Sequence, residues 1–352
     1  MRKLSFDSKF EIIRFSVAIL IALLLSFIII LLVSDTPFLA LQKLYLGPIE
    51  NLRRFGNVIE LAITLSFAGL SIAIIFSSNE FNLASEGAFY ASGAVAAMFV
   101  LSNSLPAIIS PFLSILLGGV VGAVIVTIPA VLKKKWGASE LVSSLMLNFI
   151  VLYFARYFIN NVFKDPSAGY NATYLLPETA KLSKIVSGTR IHSGLIILIV
   201  TVIACVLFME KTKWGFELTQ VGRNRQFAKY VGINTSAIVI MSQVLGGFIA
   251  GVGGAVETLG MYTRFQWQSL PGYGFDGVIV AILAKNKPRY VPIAAFFLAY
   301  IRIGADKMAT STDVTSEMIA IIQGIIIMLV AATAFLSNTR QKMLVKEVRN
   351  NG

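Results

Sequence analysis

The chain has 352 residues, of which 56% are hydrophobic and only 14% are charged, and its mean hydropathy is +0.78. These values exclude an ordinary soluble domain and indicate a membrane protein. The single cysteine, Cys205, excludes an intrachain disulfide.

Ten apolar runs predict an all-α polytopic membrane protein with about ten transmembrane helices. The long runs are each able to cross a hydrocarbon layer about 30 Å thick, whereas the eighth and ninth are short, as broken helices are. The first run is too long for a signal peptide and no cleavage site follows it, so we expect it to be retained. In chain order the runs cover residues 12–33, 58–78, 87–101, 105–131, 139–160, 193–210, 237–257, 274–284, 291–303 and 317–336.

The formal net charge of +12 follows the membrane topology. If the amino terminus is inside, nineteen of the 30 lysines and arginines fall on inner segments and nine on outer segments, while Arg156 and Arg302 lie within runs. Positive charge collects on cytoplasmic segments. The pattern therefore predicts that both termini are cytoplasmic, and it gives no reason to expect a nucleic-acid partner.

Two acids sit where the membrane makes charge expensive. A charged side chain at the centre of a span costs about 2.5 to 3.5 kcal/mol, so it is expected to face a cavity or a partner. Glu86 and Asp276 each precede a glycine at the start of an apolar run, and the runs that they open are second in two blocks of opposite orientation. This arrangement predicts an inverted repeat whose broken helices meet near the midplane. The alternative for each acid is simple helix capping, which the helix dipole favours.

Small residues at a spacing of four predict close helix packing beside these runs. The spacing occurs in the fourth run, at Gly118 and Gly122, and in the seventh, at Gly247 and Gly251.

The polar, basic segment 211–234 separates two apolar runs. Asn224 is a plausible N-cap, Arg225 to Val231 a short helix, and Gly232 the residue that ends it. A capped helix outside the membrane offers a surface to a soluble partner. The alternative is an ordinary solvated loop.

Catalytic and metal sites are not expected. The sequence has no Gly-Lys dipeptide and therefore no P-loop lysine, and it has one histidine, His192, and no paired cysteines. The sequence therefore lacks the residues that a metal centre or a nucleophilic triad would need. We therefore expect no enzymatic activity.

Four ordered motifs resemble a known family. They begin at Phe81-Asn82, Ser139-Glu140, Val221-Gly222 and Gly272-Tyr273. Over about residues 58–336 the chain resembles the membrane permeases of bacterial ABC importers in the branched-chain amino acid, ribose and simple-sugar superfamily. It is most similar to the nucleoside-importing branch with basic-membrane-protein-type lipoprotein receptors.

The resemblance implies a multi-pass transport subunit of the bacterial cytoplasmic (inner) membrane that works by alternating access. A cytoplasmic ABC ATPase with two fused nucleotide-binding domains would bind ATP and Mg, with no cofactor in this chain. The other implied partners are a second, homologous permease subunit and an extracellular or periplasmic substrate-binding lipoprotein. The resemblance places ATPase coupling at Gly222, Asn224, Phe227, Ala228, Tyr230 and Gly232.

The paired motifs also predict a substrate pathway. Aromatic rings can face a nucleobase and amides can bond a ribose or base edge, which suits an uncharged solute with a flat ring. The predicted pathway residues are Asn82, Glu86, Asn148, Tyr273, Phe275 and Asp276. One alternative is a ribose- or galactose-type sugar permease. Another is an ion-coupled secondary transporter with Glu86 and Asp276 as proton or sodium sites.

The predicted organisation is one transmembrane permease domain over the whole chain. An amino-terminal span and outer loop are followed by a first repeat, an outer loop with a span and the coupling loop, a second repeat and a cytoplasmic tail. These parts cover residues 1–57, 58–160, 161–236, 237–336 and 337–352.

Overall fold

The structure, a computed structural model, describes residues 24–25, 27–31, 34–103, 105–315, 318, 321–325 and 328. The described residues are predominantly helical and contain no named strand. Residues 51–300 form one compact unit, and described residues on both sides of it in sequence belong to a second. The first and tenth predicted runs lie largely outside the described residues, as do both termini.

The helices follow the predicted runs closely. The second to eighth runs are all confirmed as helices, with ends shifted by a few residues. In chain order the α-helices are α1 (Pro37–Leu46), α2 (Leu52–Phe76), α3 (Ser85–Ser102), α4 (Ile109–Trp136), α5 (Glu140–Asn161), α6 (Gly194–Lys211), α7 (Lys213–Arg223), α8 (Arg225–Tyr230), α9 (Thr235–Met261), α10 (Tyr273–Leu283) and α11 (Val291–Ser311).

Two expectations about helix extent were wrong. The predicted ninth run ends at 303, but α11 continues to Ser311, because polar residues such as Asp306 end an apolar run without ending a helix. The segment 34–57 was expected to be an outer loop, yet it contains α1, whose proline at the first turn suits a helix start.

Five of the described helices are long and apolar enough to cross a membrane: α2, α4, α5, α6 and α9. The most apolar windows of α2 and α9 are 89% and 67% buried, whereas those of α5 and α6 are only 28% and 17% buried. Thus α2 and α9 form the centre of the unit, and α5 and α6 lie at its edge. At 11 residues, α10 spans only about 17 Å and is a short helix of the kind predicted.

The predicted close packing of α4 and α9 is confirmed. A Cβ atom built on Gly122 would lie 2.3 Å from the carbonyl oxygen of Gly247, and one on Gly251 would lie 2.2 Å from that of Gly118. Any larger side chain would force the two backbones apart.

Helices α3 and α10, which begin at the two acid-glycine sites, pack reciprocally on the two central helices. A Cβ on Gly277 of α10 would lie 2.7 Å from the Ala68 carbonyl of α2, and one on Gly254 of α9 would lie 2.0 Å from the Phe89 carbonyl of α3. Each of these two helices therefore packs on the first long helix of the other predicted repeat. An inverted repeat produces this exchange.

The 162–193 connection is tied to the last turn of α9 and to the chain that follows it. The amide of Thr173 donates to Phe265 at 3.0 Å, and that of Leu182 donates to Leu259 at 3.0 Å. Asp165 forms an ion pair with Arg264. Hydrogen bonds from Ser167 and the Arg264 pairing lower the pKa of Asp165 to about 2.

The second unit contains α1 and the last part of α11. The hydroxyl of Ser34 donates to Asp313 at 2.6 Å. A Cβ on Gly304 would lie 2.0 Å from the Leu44 carbonyl oxygen, so a glycine is needed where this part of α11 meets α1.

Candidate functional site

The short helix predicted in the 211–234 segment is α8. Asn224 accepts a hydrogen bond from the amide of Phe227 at 2.9 Å and so caps the helix. The helix ends at Tyr230, one residue earlier than predicted, and Gly232 follows with a φ of +84°. Asn224 and Gly232 thus have the roles that the sequence predicted.

Helix α8 has one buried and one exposed face. Ala228 is buried completely, whereas the side chains of Phe227 and Tyr230 are 53% and 90% exposed. An exposed aromatic pair on a short, capped helix is a surface suited to a groove in another protein.

The sequence analysis missed α7. Thr212 accepts from the amide of Gly215 at 3.1 Å and begins this helix, which buries Gly215, Leu218 and Val221 on one face. The spacing of three between these residues was the available signal. Gly222 lies within α7 and does not begin α8. A Cβ there would lie 2.0 Å from the carbonyl oxygen of Ser77, so Gly222 permits a close approach to the chain after α2.

Residues 77–84 connect α2 to α3, and we call them the link. Within it, Glu80 holds two cations from different helices. One of its oxygens bonds Arg225 of α8 at 2.8 Å and the other bonds Lys133 of α4. Lys133 also pairs with Glu140, the first residue of α5, at 3.3 Å. A cavity of about 760 Å³ adjoins these four side chains.

Asn82 fixes the middle of the link. Its amide group donates to the Val126 carbonyl at 2.8 Å and to Gln243 at 3.0 Å, and its oxygen accepts from the amide of Ala84 at 2.9 Å. The side chain is fully buried. Asn82 therefore ties the link to both α4 and α9.

Asn148 of α5 fixes the end of the link in a similar way. Its oxygen accepts from the amide of Gly87 at 2.9 Å, and its amide donates to the carbonyl of Leu83 at 3.0 Å. A Cβ on Gly87 would lie 2.7 Å from that oxygen. The glycine after Glu86 thus makes room for Asn148.

Glu86 caps a helix other than its own. Its carboxylate accepts from the amides of Gly272 and Gly274, each at 2.6 Å, and from that of Phe275 at 3.3 Å. Gly272 has a φ of +85° and no side chain to cap α10. The carboxylate from α3 therefore supplies the acceptors that the first turn of α10 needs. The two acid-glycine helix starts meet, as the sequence predicted.

The remaining predicted pathway residues lie on the first turn of α10. The ring of Tyr273 packs 5.5 Å from that of Phe89 and 6.2 Å from that of Trp267. Phe275 is 40% exposed and Asp276 is 7% exposed. Phe275 therefore has the most open side chain of the three.

Comparison with known proteins identifies the family. Residues 54–331 match the branched-chain amino acid transport system / permease component family. The chain belongs to this family. The permease is 31% identical to a glucose ABC transporter permease of Haloferax volcanii, TsgB13, over 82% of this chain and 79% of that protein. It is 29% identical to the nucleoside ABC transporter permease NupB of Lactococcus lactis, over 90% and 89%. It is 28% identical to the guanosine ABC transporter permease NupP of Bacillus subtilis, over 90% and 92%.

The permease is therefore a multi-pass membrane protein and the transport subunit of an ABC importer. It is not an enzyme, because the permease component of such an importer forms the membrane path and a partner ATPase hydrolyses the nucleotide. A substrate-binding protein is the other partner that the family implies.

Sequence reasoning missed the ion cluster of Glu80, Lys133, Glu140 and Arg225. Three of these residues, Glu80, Glu140 and Arg225, lie in or beside a motif that the sequence analysis did use. Charged residues near membrane interfaces are common, however, and the sequence does not show which of them meet.

Proposed function

We propose that this permease moves nucleosides into the cell across the cytoplasmic membrane by alternating access. The observation that carries the proposal is the similarity to NupB and NupP, whose names specify nucleoside and guanosine transport and which align over nine-tenths of this chain. The four motifs of the sequence support the same branch. The similarity to TsgB13 favours a sugar as the second candidate.

The proposed assembly contains this chain and a second, different permease subunit, with the pathway along their interface. An ATPase with two fused nucleotide-binding domains would bind ATP and Mg on the cytoplasmic side, and a lipoprotein would deliver the substrate from outside. Helix α8 would be the coupling helix that enters a cleft of the ATPase. Its capping and its exposed aromatic face support this role.

For the pathway, we propose two kinds of residue. Asn82, Asn148 and Glu86 shape it, since they are buried and their polar atoms are bonded to other parts of the chain. Phe275 and Asp276, on the first turn of α10, are proposed to face the substrate, and the partial exposure of Phe275 supports contact with a flat ring.

The substrate proposal is tested by uptake into proteoliposomes that hold the complete importer. Radiolabelled guanosine, adenosine, uridine, ribose and glucose are compared in the presence of ATP. We expect competition among the nucleosides and no uptake of the free sugars. Uptake of ribose or glucose without nucleosides would refute the nucleoside assignment and leave the importer assignment intact.

The coupling proposal is tested with Tyr230→Ala. Loss of the most exposed ring of α8 is expected to lower ATPase association and uptake while membrane insertion stays normal. Tyr170→Ala is the matched control, since Tyr170 is a 55% exposed tyrosine in the 162–193 connection. Normal uptake by Tyr230→Ala would mean that α8 is only a connection.

The orientation is tested by cysteine labelling. Cys205 is buried and is first replaced by alanine. A cysteine at Asn224 is then expected to react only from the cytoplasm and one at Asn171 only from outside. Reaction of the Asn224 cysteine from outside would contradict both the topology and the coupling role of α8.

A further inference from the structure

Helix α8 packs through its buried Ala228 and is also joined to the link by an ion pair. Arg225, its first residue, donates from Nη1 to Oε1 of Glu80 at 2.8 Å. Next to it, Asn224 caps the helix at its own backbone. A displacement of α8 therefore acts directly on the Arg225–Glu80 pair.

The two members of this pair differ in exposure. The Glu80 side chain is 5% exposed, while that of Arg225 is 51% exposed and borders the 760 Å³ cavity. If the pair opens, Arg225 passes into solvent and Glu80 keeps Lys133 as its partner. The contact can therefore form and break without leaving a buried charge unpaired, which a reversible contact requires.

Glu80 lies six residues before Glu86 in the chain. Between them, Asn82 bonds α4 and α9, and the hydroxyls of Ser85 and Ser71 lie 3.0 Å apart. The carboxylate of Glu86 then holds the amides at the start of α10. Segment 80–86 therefore connects α8 at one end with the start of α10 at the other through side-chain bonds.

Segment 80–86 is a continuous physical connection between α8 and α10, which are distant in sequence. At its first residue Glu80 bonds Arg225 of α8, and at its last residue Glu86 bonds the start of α10. Such a connection transmits movement only if one of its contacts has two arrangements. The half-exposed Arg225 is the member suited to that role.

We infer that the Arg225–Glu80 ion pair transmits movement of α8 to the start of α10, so that these are positioning residues for the coupling of ATP hydrolysis to transport. This inference rests on the proposed function of α8 as the coupling helix. In the sequence alone, Glu80 and Arg225 could equally be two solvated charges on the surface.

The inference is tested with the complete importer in proteoliposomes, where uptake and ATP hydrolysis are measured together. The variants are Arg225→Gln, Arg225→Lys, Glu80→Gln and the double variant Arg225→Gln/Glu80→Gln. Arg223→Gln is the matched control, because Arg223 is an exposed arginine two residues away with no ion pair within the described part of the chain. The readout is the amount of substrate transported per ATP hydrolysed.

We expect this ratio to fall about fivefold or more in Arg225→Gln and in Glu80→Gln, to fall no further in the double variant, and to stay near wild type in Arg225→Lys and Arg223→Gln. A proportional fall of uptake and hydrolysis would overturn the inference, since it would mean that the pair only supports docking. An unchanged ratio would overturn it as well. If Glu80→Gln does not fold, Arg225→Gln decides alone, because its side chain is half exposed. The wild-type protein separately tests the proposed function through its ATP-dependent uptake.

Discussion

Replacing Glu86 by glutamine tests whether the carboxylate on α3 holds the start of α10. The native carboxylate accepts from Gly272 with one oxygen and from Gly274 and Phe275 with the other. Glutamine keeps the length of the side chain and one oxygen but places an NH₂ group where the second oxygen was. Either the amide of Gly272, or those of Gly274 and Phe275, would then face a hydrogen-bond donor instead of an acceptor.

The cost follows from the bonds lost. A hydrogen bond to a charged group contributes about 1.5 to 3 kcal/mol, and a buried donor left without an acceptor costs about 1 to 3 kcal/mol. Glutamine removes the hydrogen bonds of one oxygen and leaves only neutral hydrogen bonds at the other. We therefore expect the free energy of unfolding to fall by roughly 2 to 4 kcal/mol. The N-cap residue of α10, Gly272, has no side chain that could replace the bond.

Thermal unfolding of the purified permease in nanodiscs provides the measurement. We expect the Tm of Glu86→Gln to fall by roughly 3 to 5 °C. Glu178→Gln is the control, because the Glu178 side chain is 86% exposed and its loss removes a charge without a buried bond. An unchanged Tm for Glu86→Gln would refute the capping argument. Lost uptake at an unchanged Tm would instead support direct contact between Glu86 and substrate.

Three further results are expected. Gly122→Ala should lower stability by about 1 to 3 kcal/mol, because its Cβ would lie 2.3 Å from the Gly247 carbonyl oxygen, whereas Gly169→Ala, with nothing within 4 Å, should have little effect on the same unfolding curve. Burial lowers the pKa of His192 to about 4. The pKa of histidine in the unfolded chain is near 6.5, so the unfolded state binds the proton at a higher pH than the folded state does. The free energy of unfolding should therefore fall as the pH drops from about 6.5 towards 4, by up to about 1.4 kcal/mol per pH unit. His192→Asn should lack this part of the dependence of Tm on pH. Asp276 is the fourth residue of α10, whose N-cap position is Gly272, so the cap alternative does not fit it. Asp276→Asn keeps the size of the side chain, removes its charge and should lower uptake; unchanged uptake would contradict a pathway role for the carboxylate.

The sequence predicted the local structure of the coupling segment with little error. An asparagine before a short run and a glycine after it define a helix through bonds within four residues, so Asn224 and Gly232 were identified correctly. The neighbouring helix α7 was missed because only three of its residues are buried and the helix lies between two strongly apolar runs. A weak periodic pattern is difficult to recognise next to a membrane span.

For the polar residues inside the membrane, the sequence predicted which residues matter but not which groups they bond. Their cost in lipid makes Glu86 and Asn148 stand out in the sequence, and both proved to be fully bonded. Their partners were not predictable, because the amides that Glu86 holds come 186 residues or more later in the chain. The pathway role assigned to these residues stays a prediction.

The sequence by itself determined the membrane class, the positions of the second to eighth helices and the ends of α8. These features follow from hydropathy and from caps, both of which act over short stretches of chain. The tertiary structure alone decided that Glu80 joins α8 to α4 and that Glu86 caps α10. The physical reason is that a buried charge takes whichever donors the packed helices bring to it, and close contacts such as that of Gly122 with Gly247 set which helices pack.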